Sequence, residues 1–460
     1  MRITLFYPPR PGGSGTNLVP PIGLLYLGAV LEKAGHQVVL LDFSQMEKDG
    51  EDLISDVVAS NPEILLLSAF TSDVFLLKPV VSTLRKALPR TKLWLGGPHA
   101  SCVAEKAFLD FPQVDAIFIG EAEESVLEAL EFPERAPDGV IYKGKDMSST
   151  HPRQVLDLSL LPIPAWHLAP PEKYRGLPNG VVLKRLPYAP ILTTRGCPYR
   201  CTFCAGFRVT GRKIRHRPLD QVWEEIELLV REYGVAEIHI EDDNFTFDKD
   251  YAKEFCEIAI RKNLPVLFST PNGVRLDALD HELLTLMKKA GWYVVHCGIE
   301  SGSDRILKKI KKATTTAEIK KSIDLIHSHK LPVAAYFILG LPGETKKDIE
   351  ETIEFSRSSR VEWAQFACFL PIPGSPDGDE FLKNNEMVST GWEAFHNTEC
   401  PAPPEHLTAK DLKRFQRKAF MRFYLRPGPI FRTTALLFHK DTFLRIVKRG
   451  FAYLFSGSSS

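Results

Sequence analysis

Residues 193–205 read TTRGCPYRCTFCA, so Cys197, Cys201 and Cys204 fall within one short run, and no other stretch gathers cysteines so densely. Thiolates are metal ligands, and iron–sulfur clusters are held by them. Three thiolates satisfy three irons of a [4Fe–4S] cube and leave the fourth iron open. An open coordination position marks a site built for reaction rather than for structure. A zinc site made of these cysteines and His216 is the competing reading. The spacing permits it, but zinc gives no reason for an aromatic residue, Phe203, between the last two cysteines.

Such a loop needs a scaffold, and at 460 residues the chain has length for several domains. Lys and Arg number 58 against 57 Asp and Glu, a formal net charge of +1. That balance leaves no electrostatic footprint for nucleic acid, and none is expected as a partner. Eight cysteines over this length do not read as a disulfide framework, and a reducing cytoplasm is the expected compartment. The start, MRITLFYPP, lacks signal-peptide anatomy, and no apolar run is long enough to span a bilayer.

The fold class is α/β. RITLFY, HQVVLLDF, EILLLSAF, KLWLGG and AIFIG read as buried strands, and PIGLLYLGAVLEKAG and LLKPVVSTLRKAL as helices between them. Alternation of this kind predicts a parallel, flavodoxin-like sheet over 1–130. The Pro-rich stretch 131–185, with LPIPAWHLAPPEKY, reads as a linker. From 186 to 385, six strands follow: APILTTRG, AEIHIEDDNF, PVLFSTPNG, YVVHCGIE, VAAYFILG and EWAQFACFL. They predict a partial TIM-type (β/α)6 barrel with its chemistry at the C-terminal strand ends, where the cysteine loop lies. Residues 386–460 read as a helical extension.

With Phe203 as its aromatic, the Cys-x-x-x-Cys-x-aromatic-Cys run resembles the signature of radical S-adenosylmethionine (SAM) enzymes. In that family SAM chelates the open iron, and an electron from the cluster cleaves it to a 5′-deoxyadenosyl radical. The resemblance continues in order along the barrel. EDDNFTFD implies that Asp242 and Asp243 lie near the methionine moiety of SAM. GIESGSDRILKKIKK implies Glu300 and Ser301 as SAM contacts, and GLPGET implies a turn at Gly340 and Gly343 along the adenine. FLPIPGSP is similar to the sixth-strand exit. Phe203 is counted with the SAM residues.

The first domain resembles cobalamin-binding domains. Ser68, Phe70 and Thr71, then Gly96 and Gly97, match the small-residue elements that thread the cobalamin tail, and Glu121 follows in GEAEES. Residues 8–24 contain no histidine, so the resemblance implies cobalt without that lower ligand. His99 reads as a turn or pocket residue. An open sheet that binds nothing is the alternative.

Cys256 and Cys297 read as core, whereas Cys368, near the end of the sixth strand, is a catalytic candidate. The run ALLFHKDTFLRIVKRGFAYLF at 435–455 has the pattern of a basic amphipathic helix, docked on the barrel or lying on a membrane surface. The combined resemblance implies a cobalamin-dependent radical SAM C-methyltransferase acting on an unactivated carbon. The alternative is a cyclase or oxidoreductase with the same cofactors, similar to the anaerobic magnesium-protoporphyrin ester cyclase. Either implies a small-molecule substrate and an electron donor such as flavodoxin or ferredoxin. A membrane-surface helix would suit a hydrophobic or lipid substrate.

Overall fold

A computed structural model describes residues 1–9, 19–44, 50–145, 150–174, 183–384, 392, 395 and 400–426. The amphipathic run 435–455 lies outside the described residues. By contacts the chain forms two compact units, 1–245 with 263–271 and 371–395, and 246–262 with 272–370 and 396–460.

In the first unit, strands β1 (Arg2–Tyr7), β2 (Gln37–Asp42), β3 (Ile64–Ser68), β4 (Lys92–Gly96) and β5 (Ala116–Phe118) form a parallel sheet. A short β6 (Val140–Tyr142), from the stretch read as a linker, adds antiparallel at the edge, and the order is β2-β1-β3-β4-β5-β6. Both faces are covered, so the strands read as continuous apolar runs rather than alternations. Leu65 and Leu67 point into one layer with Leu53, Val57, Leu77 and Val81 of helices α2 (Gly50–Ala59) and α3 (Val74–Ala87). Ile64 and Leu66 point into the other, with Leu24 and Val30 of α1 (Ile22–Lys33). The turn after β4 leads into α4 (Pro98–Val103) and α5 (Ala107–Asp110), and β5 is followed by α6 (Glu123–Glu131).

The same unit holds β7 (Tyr188–Ile191), β10 (Glu237–Ile240) and β11 (Leu267–Ser269), parallel in the order β11-β10-β7. The stretch read as one strand, APILTTRG, is broken. After β7 a separate β8 (Thr194–Arg195) pairs antiparallel with β9 (Arg215–His216), and α7 (Phe207–Thr210) lies between them. The α8 helix (Leu219–Glu232) then leads to β10.

In the second unit, α9 (Lys249–Lys262) and α10 (His281–Ala290) pack together. They precede β12 (Val295–Glu300), β13 (Val333–Leu339) and β14 (Trp363–Cys368), parallel neighbours in that order. Between these strands run α11 (Asp304–Lys309), α12 (Thr316–Ser328) and α13 (Lys346–Ser358), while α14 (Pro376–Asn384) belongs to the first unit. All six strands expected over 186–385 are therefore present, as two parallel sheets of three. The helical C-terminal part is seen in α15 (Ala409–Tyr424), which begins at Thr408 with a capping box to Asp411. Its Gln416 donates to the Phe366 carbonyl at 2.8 Å and its Tyr424 hydroxyl to Ala364 at 2.8 Å, fixing the helix on β14. No helix among the described residues is long and apolar enough to cross a membrane.

Candidate active site

The cysteine loop starts where β8 ends. Gly196 has φ +99°, and a Cβ there would stand 2.3 Å from the Lys213 carbonyl oxygen, so only glycine lets the chain turn in. The Cys197 N–H donates to the Gly211 carbonyl (3.1 Å) and the Cys204 N–H to that of Cys201 (3.3 Å), closing a compact loop. None of the three cysteines is in a disulfide. Cys204 is the most open of them, but the loop folded around its sulfur desolvates it and pushes the thiol up to about 11. Asp243, Cys201 and Cys197 add like charge, and a Gly206 N–H bond partly offsets them. Binding iron must displace these protons. Among the described residues no three His, Cys, Asp or Glu side chains are grouped as a ready-made ion site. The fit to a [4Fe–4S] cluster rests on the donor set, three thiols of one loop whose sulfurs act on one another. His216 sits on β9 opposite Thr194.

The two aspartates after β10 divide their work. Asp242 is buried and accepts from Thr193 N (2.7 Å), Thr194 N (2.9 Å) and both threonine hydroxyls. Burial raises its carboxyl to about 6 against these bonds. Its oxygens thus brace the strand end leading into the cysteine loop. Asp243 is exposed and accepts from Thr210 Oγ1 at 2.5 Å. A Cβ on Gly206 would lie 3.5 Å from Asp243 Oδ1 and 3.6 Å from Cys204 Sγ, so carboxylate and sulfur flank the same glycine. Phe203 is half-buried between Thr202 and Cys204.

In the second unit, Glu300 ends β12 at φ +67° and accepts from Lys312 Nζ at 2.8 Å. Ser301 is buried, its hydroxyl 3.1 Å from Thr352 Oγ1. Gly340 and Gly343 both have positive φ. Their turn is held by the Glu344 carboxyl group, whose Oε2 accepts from Gly340 N (2.5 Å) and Leu341 N (3.2 Å). Cys368, read as a catalytic candidate, is bonded to Cys400 and buried, so its thiol is not free, and this chain does carry a disulfide. Cys256 and Cys297 are buried core residues, as read.

At the N-terminal sheet, Ser68 and Gly96 are register partners at the C-terminal ends of β3 and β4. Gly97 has φ +92°, and a Cβ there would meet Ser68 Oγ at 2.8 Å and Ala69 N at 2.9 Å. Phe70 is partly exposed beside this turn. Thr71 Oγ1 lies 3.2 Å from His99 Nδ1, and Asp110 Oδ2 lies 3.3 Å from Nε2, so both nitrogens of the buried His99 are occupied, as suits a pocket residue. Glu121, read as a cobalamin contact, has its partners within the chain. Its carboxylate is buried against Arg215, with the Val155 N–H donating to it at 2.6 Å. Two further residues escaped the sequence reading. Cys102, a free thiol on α4, is pushed up to about 12 by burial, and Cys204 is among the charges it feels. Arg195 lies buried two positions before Cys197.

The pattern described as the Radical SAM superfamily matches residues 191–356, and that of the B12 binding domain matches residues 12–130. An uncharacterized methyltransferase of Pyrococcus horikoshii is 30% identical over 444 residues, covering 93% of this chain and 93% of that one. This chain belongs to the radical SAM superfamily, in the branch with a B12-binding domain. As a radical SAM enzyme of that branch it uses a [4Fe–4S] cluster, SAM and cobalamin, and acts on a small molecule. It is also 31% identical to the cytidylyl-2-hydroxyethylphosphonate methyltransferase of Streptomyces wedmorensis, over 77% of this chain and 76% of the relative. Its fold is that of the radical SAM methyltransferase TsrM of Kitasatospora setae, solved with cobalamin and a [4Fe–4S] cluster bound. The TM-score is 0.65 at 18% identity, covering 83% of this chain and 78% of that one.

Proposed function

We propose that this radical SAM enzyme transfers a methyl group to an unactivated carbon of a small organic substrate, with cobalamin as the methyl carrier. One observation carries the reading. In the first unit α4, entered from Gly97, packs against α7, the helix that follows Cys204. The turn read as cobalamin's and the loop read as the cluster's are thus neighbours, as a methyl source and a radical source acting on one carbon must be. When bound, the cluster with SAM supplies a deoxyadenosyl radical and cobalamin supplies the methyl.

Within this reading Cys197, Cys201 and Cys204 hold the iron. Asp242 and Asp243 lie at the methionine end of SAM, Asp242 bracing Thr193 and Thr194 from behind and Asp243 exposed beside Cys204. Phe203, Glu300, Ser301, Gly340 and Gly343 complete the SAM site, and Ser68, Phe70, Thr71, Gly96 and Gly97 line the cobalamin turn. The domain limits 1–130, 131–185, 186–385 and 386–460 belong to the same reading. So do a flavodoxin or ferredoxin as electron donor and a cytoplasmic location. The names of the Pyrococcus and Streptomyces relatives support methyl transfer over cyclisation.

The test is anaerobic incubation of reconstituted protein with hydroxocobalamin, a reductant, cell extract and SAM carrying a deuterated methyl group, followed by mass spectrometry. A product heavier by the labelled methyl is expected. Protein-dependent conversion that carries no label would assign cyclisation or oxidation instead.

A further inference from the structure

Two arginines face each other on the ribbon that opens the cysteine loop. β8 pairs with β9 so that Arg195 is directly opposite Arg215, and both side chains are buried, at 5% and 4% exposure. Like charges directly opposite on a ribbon repel, and burying a guanidinium without a partner costs more still. The compensating charge comes from the N-terminal domain, at the turn between β5 and α6.

Glu121 grips Arg215 with both oxygens, Oε2 accepting from Nη1 at 2.6 Å and Oε1 from Nη2 at 2.8 Å. The same Oε1 lies 3.6 Å from Arg195 Nη1. Glu123 Oε1 accepts from Arg195 Nη2 at 2.7 Å, and the Tyr26 ring lies 4.8 Å from the Arg195 guanidinium. Two-point contacts of this kind fix orientation as well as charge. Arg215 also donates to the Thr210 carbonyl at the end of α7 and to the Val155 carbonyl, each at 2.5 Å. Arg195 stands two residues before Cys197 and Thr210 six after Cys204, so the pair of carboxylates closes the base of the loop from both sides.

We infer that Glu121 and Glu123, carried on the B12-binding domain, are positioning residues for the iron–sulfur cluster. The N-terminal domain is then needed to load iron as well as to bind cobalamin. Without Glu121 the opposed guanidiniums push the ribbon apart and the three sulfurs lose their common geometry. This rests on the reading of Cys197, Cys201 and Cys204 as cluster ligands.

The experiment uses the full chain, reconstituted anaerobically with iron and sulfide, and reads iron per chain, the electron paramagnetic resonance signal of the reduced cluster, and bound hydroxocobalamin by absorbance. Glu121→Gln should lose iron several-fold and alter the cluster signal while keeping cobalamin at the wild-type level. The double variant Glu121→Gln with Arg215→Gln removes one opposed charge together with its partner and should recover most of the iron. If the single variant does not fold, the double variant decides: wild-type iron supports the inference and lack of iron overturns it. Glu121→Gln with full iron and an unchanged signal overturns it, as does lost cobalamin with iron retained. A wild-type chain that takes up no iron would instead defeat the cluster reading itself.

Discussion

Burial raises the Glu344 carboxyl to about 8, although the backbone N–H groups of Gly340 and Leu341 both donate to it. An acid held this way keeps its proton in the folded chain where the unfolded chain, with an ordinary value near 4.5, has released it. The group's contribution is therefore full below the unfolded value and is lost as pH rises toward about 8, by up to about 1.4 kcal/mol per pH unit. Glu344→Gln, neutral at every pH, should flatten this part of the stability profile, measured by denaturant unfolding across neutral pH. A decline as steep as the wild type's would show that Glu344 is already ionised in the folded chain. Residue chemistry was legible only as a reading from type and spacing, as with the cluster reading of Cys197, Cys201 and Cys204. It was not legible for Glu121, because a glutamate after a strand reads alike whether it faces a ligand or a buried Arg215. Nor was it for Cys368, whose partner Cys400 lies 32 residues away and gives no local signal.

At the scale of elements, the turn after β4 is where the backbone is most constrained by what it must admit. Gly97→Val would place a Cβ within 2.9 Å of Ser68 Oγ and Ala69 N at φ +92°, a strain of roughly 1–3 kcal/mol. It should abolish hydroxocobalamin binding. Gly96→Ala, whose nearest neighbour would be Phe118 Cβ at 3.7 Å, meets no clash within the chain and should keep wild-type stability in denaturant unfolding. Titration followed by absorbance reads the binding, and wild-type affinity in Gly97→Val would remove the turn from the cobalamin site. The strands beside this turn were readable because β1, β3 and β4 are apolar runs buried on both faces. The break between β7 and β8 was not, since Leu192 and Thr193, where it falls, are not turn residues. What ends the strand is distant: Asp242 draws the N–H groups of Thr193 and Thr194 to itself. The three-residue β6 was too short to carry a periodicity.

For the molecule as a whole, the proposed function puts a methyl carrier and a radical source in one chain, the first unit holding both the Gly97 turn and the cysteine loop. Covalent linkage keeps the two at a fixed high effective concentration, which a free carrier protein would have to match by binding. Methyl transfer by this pair consumes SAM in two ways, one molecule as the radical source and one to recharge the carrier. The most direct test is to quantify 5′-deoxyadenosine and S-adenosylhomocysteine together in a single anaerobic reaction with hydroxocobalamin and substrate-containing extract. The account predicts that both form, in equal amounts, and that both vanish when Cys197, Cys201 and Cys204 are replaced by alanine. 5′-Deoxyadenosine formed with substrate but without S-adenosylhomocysteine would contradict it.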